Sequence, residues 1–155
     1  MVAYAVIRVR GQPDVNYNIE TTMHLFGLNR VNNCAIVPDN PSSKGMLQVI
    51  KDYCTYGEID AETLAALIRS RGKAVGNAPI TDDYVKEKTE FASIDALAAA
   101  IIAGEYRLKD VEGMKPMFCL HPPVQGYEGN KRSFAVGGAL GYRGAEINNL
   151  IKRML

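Results

Sequence analysis

The sequence has no long hydrophobic run, and its N-terminal residues lack the pattern of a secretion signal. Both features bear on the expected cellular location. No apolar stretch approaches the roughly 20 residues that a membrane-spanning helix needs. The N-terminal segment lacks a basic region before its apolar residues and has no small-residue cleavage site, so we expect a first strand instead of a secretion signal. We therefore expect a cytoplasmic protein with no membrane partner.

Cysteine and histidine are also scarce, with three cysteines and two histidines in 155 residues. Cys34, Cys54 and Cys119 are odd in number, far apart and set among apolar neighbours, which favours buried free thiols in a reducing compartment over disulfides. A structural metal site needs about four ligands at finger-like spacing. The scattered cysteines and histidines do not supply it, so we expect no metal and no other cofactor.

The net charge is only +1, and by itself it argues against a nucleic-acid-binding protein. The distribution is uneven, however. Residues 1–57 hold five Lys or Arg and four Asp or Glu, residues 58–115 hold eight and eleven, and residues 116–155 hold five and two. Two mildly basic ends therefore flank an acidic middle. A focused basic patch can bind a polyanion even when the average charge cannot.

What is present is an ordinary globular composition, 47% hydrophobic and 23% charged, with alternating strand and helix patterns. Residues 1–59 are predicted to form a β-α-β-α-β core. Its strands cover residues 2–9, 34–37 and 53–59, its first helix is capped at Asn18 and stopped at Gly27, and its second is capped at Ser42 or Ser43. The predicted class is α+β.

The rest of the chain is predicted to add two segments to this core within one compact unit. Residues 60–115 read as a helical elaboration, with helices over 61–71 and 81–86 and another after Ser93. Residues 116–155 are expected to form a short strand, a glycine-rich basic loop and a terminal helix over 145–154.

The turn between the first helix and the second strand carries the most informative polar residues. Asn29, Arg30, Asn32 and Asn33 are donors and acceptors at positions where packing needs none. A cation framed by amides on a rigid turn can hold a phosphate of an RNA backbone. The alternative is purely structural, because asparagines favour turns and tolerate positive φ.

Further cations form a second set of candidates. Two lie where the first strand runs out, two lie at or just after the end of the helix over 61–71, and three lie in or near the glycine-rich stretch: Arg8, Arg10, Arg71, Lys73, Lys131, Arg132 and Arg143. For Arg71 and Lys73, complementarity to the helix dipole explains the charge equally well. Tyr127 and Phe134 are candidates for base stacking, with a small satellite of the core as the alternative.

Catalysis is the competing hypothesis. Cys119 and His121 lie two apart on a strand and face the same side, but no orienting acid is near. The glycines from Gly137 to Gly144 precede a helix as in a nucleotide cradle, yet they match neither G-x-G-x-x-G nor a P-loop. A small enzyme or nucleotide-binding protein is therefore kept only as the alternative function. A third possibility is an adaptor that binds protein partners through its helical middle.

Several separated motifs, in order, resemble the large-subunit ribosomal protein family numbered thirty, whose eukaryotic members carry the number seven. They are residues 27–32, Lys44-Gly-Met46, residues 59–72, residues 121–138 and the tail over 147–154. The similarity spans nearly the whole chain and matches the longer archaeal and eukaryotic form. The short bacterial form corresponds to about residues 3–58.

The resemblance implies a ferredoxin-like core and a non-enzymatic role. The expected function is structural, in the large ribosomal subunit, with support for subunit assembly and translation. The implied partners are large-subunit ribosomal RNA, with the small 5S species as a further candidate, and neighbouring ribosomal proteins. By position in the motifs, RNA contact is expected at Arg30, Asn32, Lys44 and Gly45.

Overall fold

The computed structural model describes residues 3–155, so the predicted strand position at Val2 lies outside the described residues. The strands are β1 (Ala3–Arg8), β2 (Asn33–Pro38), β3 (Cys54–Glu58), β4 (Met117–Cys119) and β5 (Gly141–Tyr142). They form one sheet in the order β4-β2-β1-β3-β5. The first four strands pair antiparallel, whereas β5 runs parallel to β3. The predicted α+β class with an antiparallel ferredoxin-like core is confirmed, and β5 makes the complete sheet mixed.

The central strand β1 is buried along its whole length because helices cover both faces of the sheet. β1 pairs antiparallel with β2 and with β3, so those two strands are parallel to each other with β1 between them. The helix α2 (Pro41–Ile50) connects them. This split β-α-β unit puts the end of β1 beside the beginnings of β2 and β3.

The helices α1 (Tyr17–Leu25) and α2 cover one face of the sheet. The cap of α1 is Asn16, two residues before the predicted Asn18, and its side chain accepts a hydrogen bond from the Asn18 N–H. Gly27 follows the helix at φ 77°, the left-handed conformation expected of a glycine stop. α2 begins at Pro41, earlier than predicted, because a proline suits the first helical position.

The opposite face carries the larger core, under α3 (Ala61–Arg71), α4 (Asp82–Lys88), α5 (Ile94–Ala103) and α6 (Ile147–Met154). One continuous cluster of buried apolar side chains joins all three predicted segments, for example through Ile7, Leu67 and Leu150. The division into segments remains a prediction. Among residues 3–155, no helix is both long and apolar enough to cross a bilayer.

The terminal helix is attached to the sheet by the buried Asn148. Its amide donates to the backbone oxygens of Glu58 and Ala145, and its Oδ1 accepts from the Asp60 N–H at 3.0 Å. Every polar atom of this amide is therefore used inside the protein, as burial requires. The contact holds the start of α6 against the end of β3.

Candidate nucleic-acid interface

The predicted cationic residues converge mainly at one end of the sheet, where β1 ends and β2 and β3 begin. The register pairs Ile7 with Cys34 and Arg8 with Cys54, so the segments that flank these positions are neighbours. The Tyr127 hydroxyl donates to Asn32 Oδ1 at 2.7 Å, which attaches the C-terminal loop to the same place. We call the exposed or half-exposed cations of this region the basic end; they are Arg10, Arg30, Lys51, Lys131 and Arg132.

A groove of about 500 Å³ runs through the basic end. Arg10, Lys51 and Lys131 line it, together with Tyr53 and one acidic residue, Asp52. The Arg10 guanidinium lies 4.8 Å from the centre of the Tyr53 ring and donates to the Asp52 backbone oxygen at 3.3 Å. Arg10 is therefore held in place by contacts within the protein, and three cations and one acidic residue line the groove.

The other cations of the basic end have no partner in the described part of the chain. Arg30, Lys51, Lys131 and Arg132 make no side-chain hydrogen bond or ion pair there. Three cations of the helical segment differ, because they pair with acids: Arg69 with Asp95 at 2.5 Å, Lys86 with Asp83 at 4.0 Å and Lys88 with Glu112 at 3.4 Å. The positive charge of these four side chains is thus not neutralised within the described residues.

Arg8 does not belong to this surface, which corrects the expectation from sequence. It is 1% exposed, and its guanidinium donates to the backbone oxygens of Leu28 at 2.8 Å and Arg10 at 2.9 Å. Its Nη2 is buried without a protein partner. Arg8 therefore holds the turn after α1 against the end of β1, and it is not available to a phosphate.

Arg143 is the second cation that sequence analysis placed on the surface and the structure places inside, at 5% exposed. Its guanidinium donates to Thr55 Oγ1 at 3.1 Å, to the Ala139 backbone oxygen at 3.2 Å and to the Glu128 carboxylate at 3.3 Å. It also lies 4.7 Å from the centre of the Phe134 ring. Burial lowers the pKa of Arg143, and the Glu128 carboxylate opposes that shift. Arg143 thereby fastens the loop that carries Lys131 and Arg132.

The Glu128 carboxylate joins this loop to the terminal helix. It accepts from Arg143 and, at 3.2 Å, from Arg153. Partial burial acts to raise the pKa of Glu128. The hydrogen bond from its own backbone and the two guanidiniums act in the opposite direction and outweigh burial, so the pKa of Glu128 is lowered. Glu128 is therefore ionised at neutral pH and forms ion pairs with both arginines.

The two aromatic candidates for base stacking are used inside the protein. The Tyr127 ring packs against the small cluster of Val9, Ala139 and Leu140, and burial raises the pKa of its hydroxyl. The Phe134 ring lies against Arg143. Both observations favour the alternative of a small satellite of the core.

Two of the three asparagines after α1 have structural roles, and the third is exposed. Asn33 is 3% exposed, and Asn32 adopts φ 65° while its backbone N–H donates to Arg8 O. Asn29 is exposed. The structural explanation thus accounts for Asn32, because a left-handed turn position favours asparagine, and Asn33 is buried at the start of β2. Asn29 and Arg30 remain available at the surface.

The remaining predicted residues lie away from the basic end or are already engaged. Lys44 and Gly45 are at the opposite end of the sheet, where Lys44 pairs with Asp39 at 2.8 Å and this carboxylate raises the lysine pKa. The Arg71 guanidinium donates to the backbone oxygen of Leu155. Lys73 is exposed beyond the end of α3.

Lys51 lines the groove beside Arg10 and was not predicted from the sequence. The clue was its place just before the third strand. In a core whose first and third strands pair antiparallel, the residues after β1 and before β3 must be neighbours. Lys51 therefore follows from the topology and not from any local motif.

The three cysteines differ in burial. Burial raises the pKa of both Cys34 and Cys54 to about 12, which keeps them protonated and unreactive. Cys119 is exposed, so the expectation of three buried thiols is wrong for this one. Within residues 3–155, no group of three metal-ligating side chains is present.

This difference in burial predicts thiol reactivity. In the native protein, a disulfide reagent such as dithionitrobenzoate should titrate one thiol per chain rapidly, and all three cysteines should react in denaturant. The variant Cys119→Ser should lose the native reaction. Rapid reaction of a second thiol in the folded protein would contradict the burial of Cys34 and Cys54.

Fold and surface together define a class: small ferredoxin-like α+β proteins with a cluster of exposed, unpaired cations at one end of the sheet. Residues 4–54 match the Ribosomal protein L30p/L7e family. Three archaeal relatives, all named large ribosomal subunit protein uL30, are similar over nearly their whole length. The protein of Methanococcus maripaludis is 51% identical over 156 residues, covering 99% of this chain and 100% of the relative.

The protein of Methanosphaera stadtmanae is 47% identical (98% of this chain, 99% of the relative), and that of Methanocorpusculum labreanum is 44% identical (97% and 99%). The chain belongs to the Ribosomal protein L30p/L7e family, which confirms the resemblance. Members of this family are structural components and not enzymes, so the catalytic alternative at Cys119 and His121 is set aside.

Proposed function

We propose that this protein is a structural constituent of the large ribosomal subunit, in the cytoplasm, and that it binds large-subunit ribosomal RNA through the basic end. The observation that supports the ribosomal role is its similarity to uL30 proteins over nearly the full chain. The choice of the basic end as the RNA-binding surface is supported by the cations that gather at this end of the sheet.

The mechanism is electrostatic and acts mainly on the RNA backbone. Arg10, Lys51 and Lys131 line a single groove, so one phosphate track can meet all three. Arg30 extends this surface along the turn after α1. Each phosphate that is neutralised releases condensed counterions, which makes the affinity salt-dependent. The basic end thus positions a backbone and supports assembly without reading base sequence.

Binding should depend on the two unpaired cations Arg30 and Lys131. The double variant R30A/K131A should weaken binding to a large-subunit ribosomal RNA transcript about tenfold at moderate salt. It should also lower the slope of log affinity against log salt by about 1 to 2, because each lost phosphate contact contributes slightly less than one unit. Filter binding or fluorescence anisotropy across a salt series measures both quantities, with 5S RNA as a separate arm.

The matched control is K86A/K88A, which removes two lysines that are ion-paired on α4. It carries the same net charge change and should leave the slope unchanged. If both double variants lower the slope equally, net charge and not the basic end governs binding. Thermal unfolding of each variant checks that the fold is retained.

A further inference from the structure

The outer edge of β2 is only half covered. β2 spans Asn33–Pro38, but β4 pairs with residues 33–35 alone. Pro116 directly precedes β4 and has no N–H to continue the ladder. Residues 36–38 therefore extend past the edge strand. Pro38 has no N–H and its oxygen accepts from the Asn40 N–H, so Ile36 and Val37 are the part of this edge that an added strand could pair with.

This edge borders a groove of about 660 Å³ between the two helical layers, which we call the β2 groove. Its walls are apolar on both sides, where the end of α1 and α2 face the end of α5 and the segment after it: Leu25, Phe26, Met46, Ile101, Tyr106 and Leu108. Leu25 on the rim is 64% exposed. A slot with a strand edge and apolar walls has the shape that an added β-strand needs.

The charged side chains that line the β2 groove are all basic. Its ionisable lining consists of His24, Arg107 and Lys109, and no aspartate or glutamate lines it. Arg107 and Lys109 have no ion pair within residues 3–155, while His24 lies 3.8 Å from Glu20. Complementarity therefore favours an occupant that carries carboxylates next to apolar side chains.

We propose that an extended segment of a neighbouring protein in the large subunit adds to Ile36 and Val37 of β2 as a short strand. Its apolar side chains fill the β2 groove, and an aspartate or glutamate meets Arg107 and Lys109. The inference rests on the proposed ribosomal role. Protein is favoured over RNA because the walls are apolar and the cations of the basic end lie at the other end of the sheet.

Photo-crosslinking in assembled subunits tests the inference. Leu25 is replaced by benzoylphenylalanine in the full chain, the protein is assembled into large subunits, and crosslinked products are identified by mass spectrometry. The expected product is a protein segment with an Asp or Glu within a few residues of the crosslink. Adding R107E/K109E should lower its yield at least fivefold, whereas adding the matched reversal K86E/K88E should not.

The outcomes separate this inference from the proposed function. If the protein fails to enter large subunits, both are overturned. If it enters them and Leu25 crosslinks to RNA, to a second copy of the chain, to a segment without acidic residues or to nothing, the inference alone is overturned. A yield that R107E/K109E leaves unchanged also overturns it. Benzoylphenylalanine at the exposed Val136 serves as the reagent control and should give different products.

Discussion

Gly57→Ala should destabilise the protein by about 3 kcal/mol or more, at the upper end of the range for an overpacked core. Gly57 lies in β3 directly beneath the start of the C-terminal helix. A Cβ at this position would be 2.0 Å from Gly144 O and 3.1 Å from Ile147 Cβ. The nearest atom is a backbone oxygen, so the strain cannot be relieved by rotating a flexible side chain. α6 would have to move away from the sheet.

Urea unfolding of the variant measures this loss, and Gly45→Ala provides the matched control. Gly45 lies inside α2, and a Cβ there would meet nothing within 4 Å. Alanine should therefore stabilise α2 by about 0.5 to 1 kcal/mol, because glycine is the poorer helix former. A Gly57→Ala protein as stable as the wild type would show that α6 does not pack against β3 as closely as described.

Arg143→Met should cost about 3 kcal/mol and loosen the loop of residues 127–140, because charge-assisted hydrogen bonds are lost and the Ala139 oxygen is left buried without a partner. The methionine keeps most of the side-chain volume. Trypsin should then cut after Lys131 or Arg132 at least ten times faster. RNA affinity should also fall, although Arg143 itself is not at the surface.

Arg153→Met is the matched control for this prediction, since Arg153 contacts the same Glu128 carboxylate from a more exposed position. An exposed ion pair contributes less than about 1 kcal/mol, so proteolysis of the loop should barely change. Equal protection of the loop in Arg143→Met and wild type would contradict the role given to Arg143. Hydrogen exchange in residues 127–140 provides an independent check.

Much of the fold was predictable from the sequence because its signals are local. The helix over residues 61–71 was predicted with its observed bounds, from apolar spacing, the cap position and the arginines of its last turn. The β-α-β-α-β order followed from alternating periodicities and turn formers. The strand β5 was missed because it is two residues long and lies among glycines, and its formation depends on pairing with β3.

The candidate site was predictable only in part, and the failures share a cause. Arg8 and Arg143 look like surface cations in the sequence, but the fold buries both and gives their guanidiniums backbone oxygens and a carboxylate to contact. A basic residue carries no local indication of its burial. Conversely, no local sequence motif marks Lys51 as a site residue. Only strand pairing brings it beside Arg10.

The sequence by itself determined the class of fold, the order of its elements and the family, because periodicity, caps and spaced motifs are properties of the linear chain. Tertiary structure alone decided which cations face solvent, which of them gather at one end of the sheet and which edge of β2 stays open. Those features depend on contacts between residues far apart in sequence, such as Thr55 with Arg143 and Asn32 with Tyr127. Folding buries Arg8 and Arg143 and leaves Arg30 exposed.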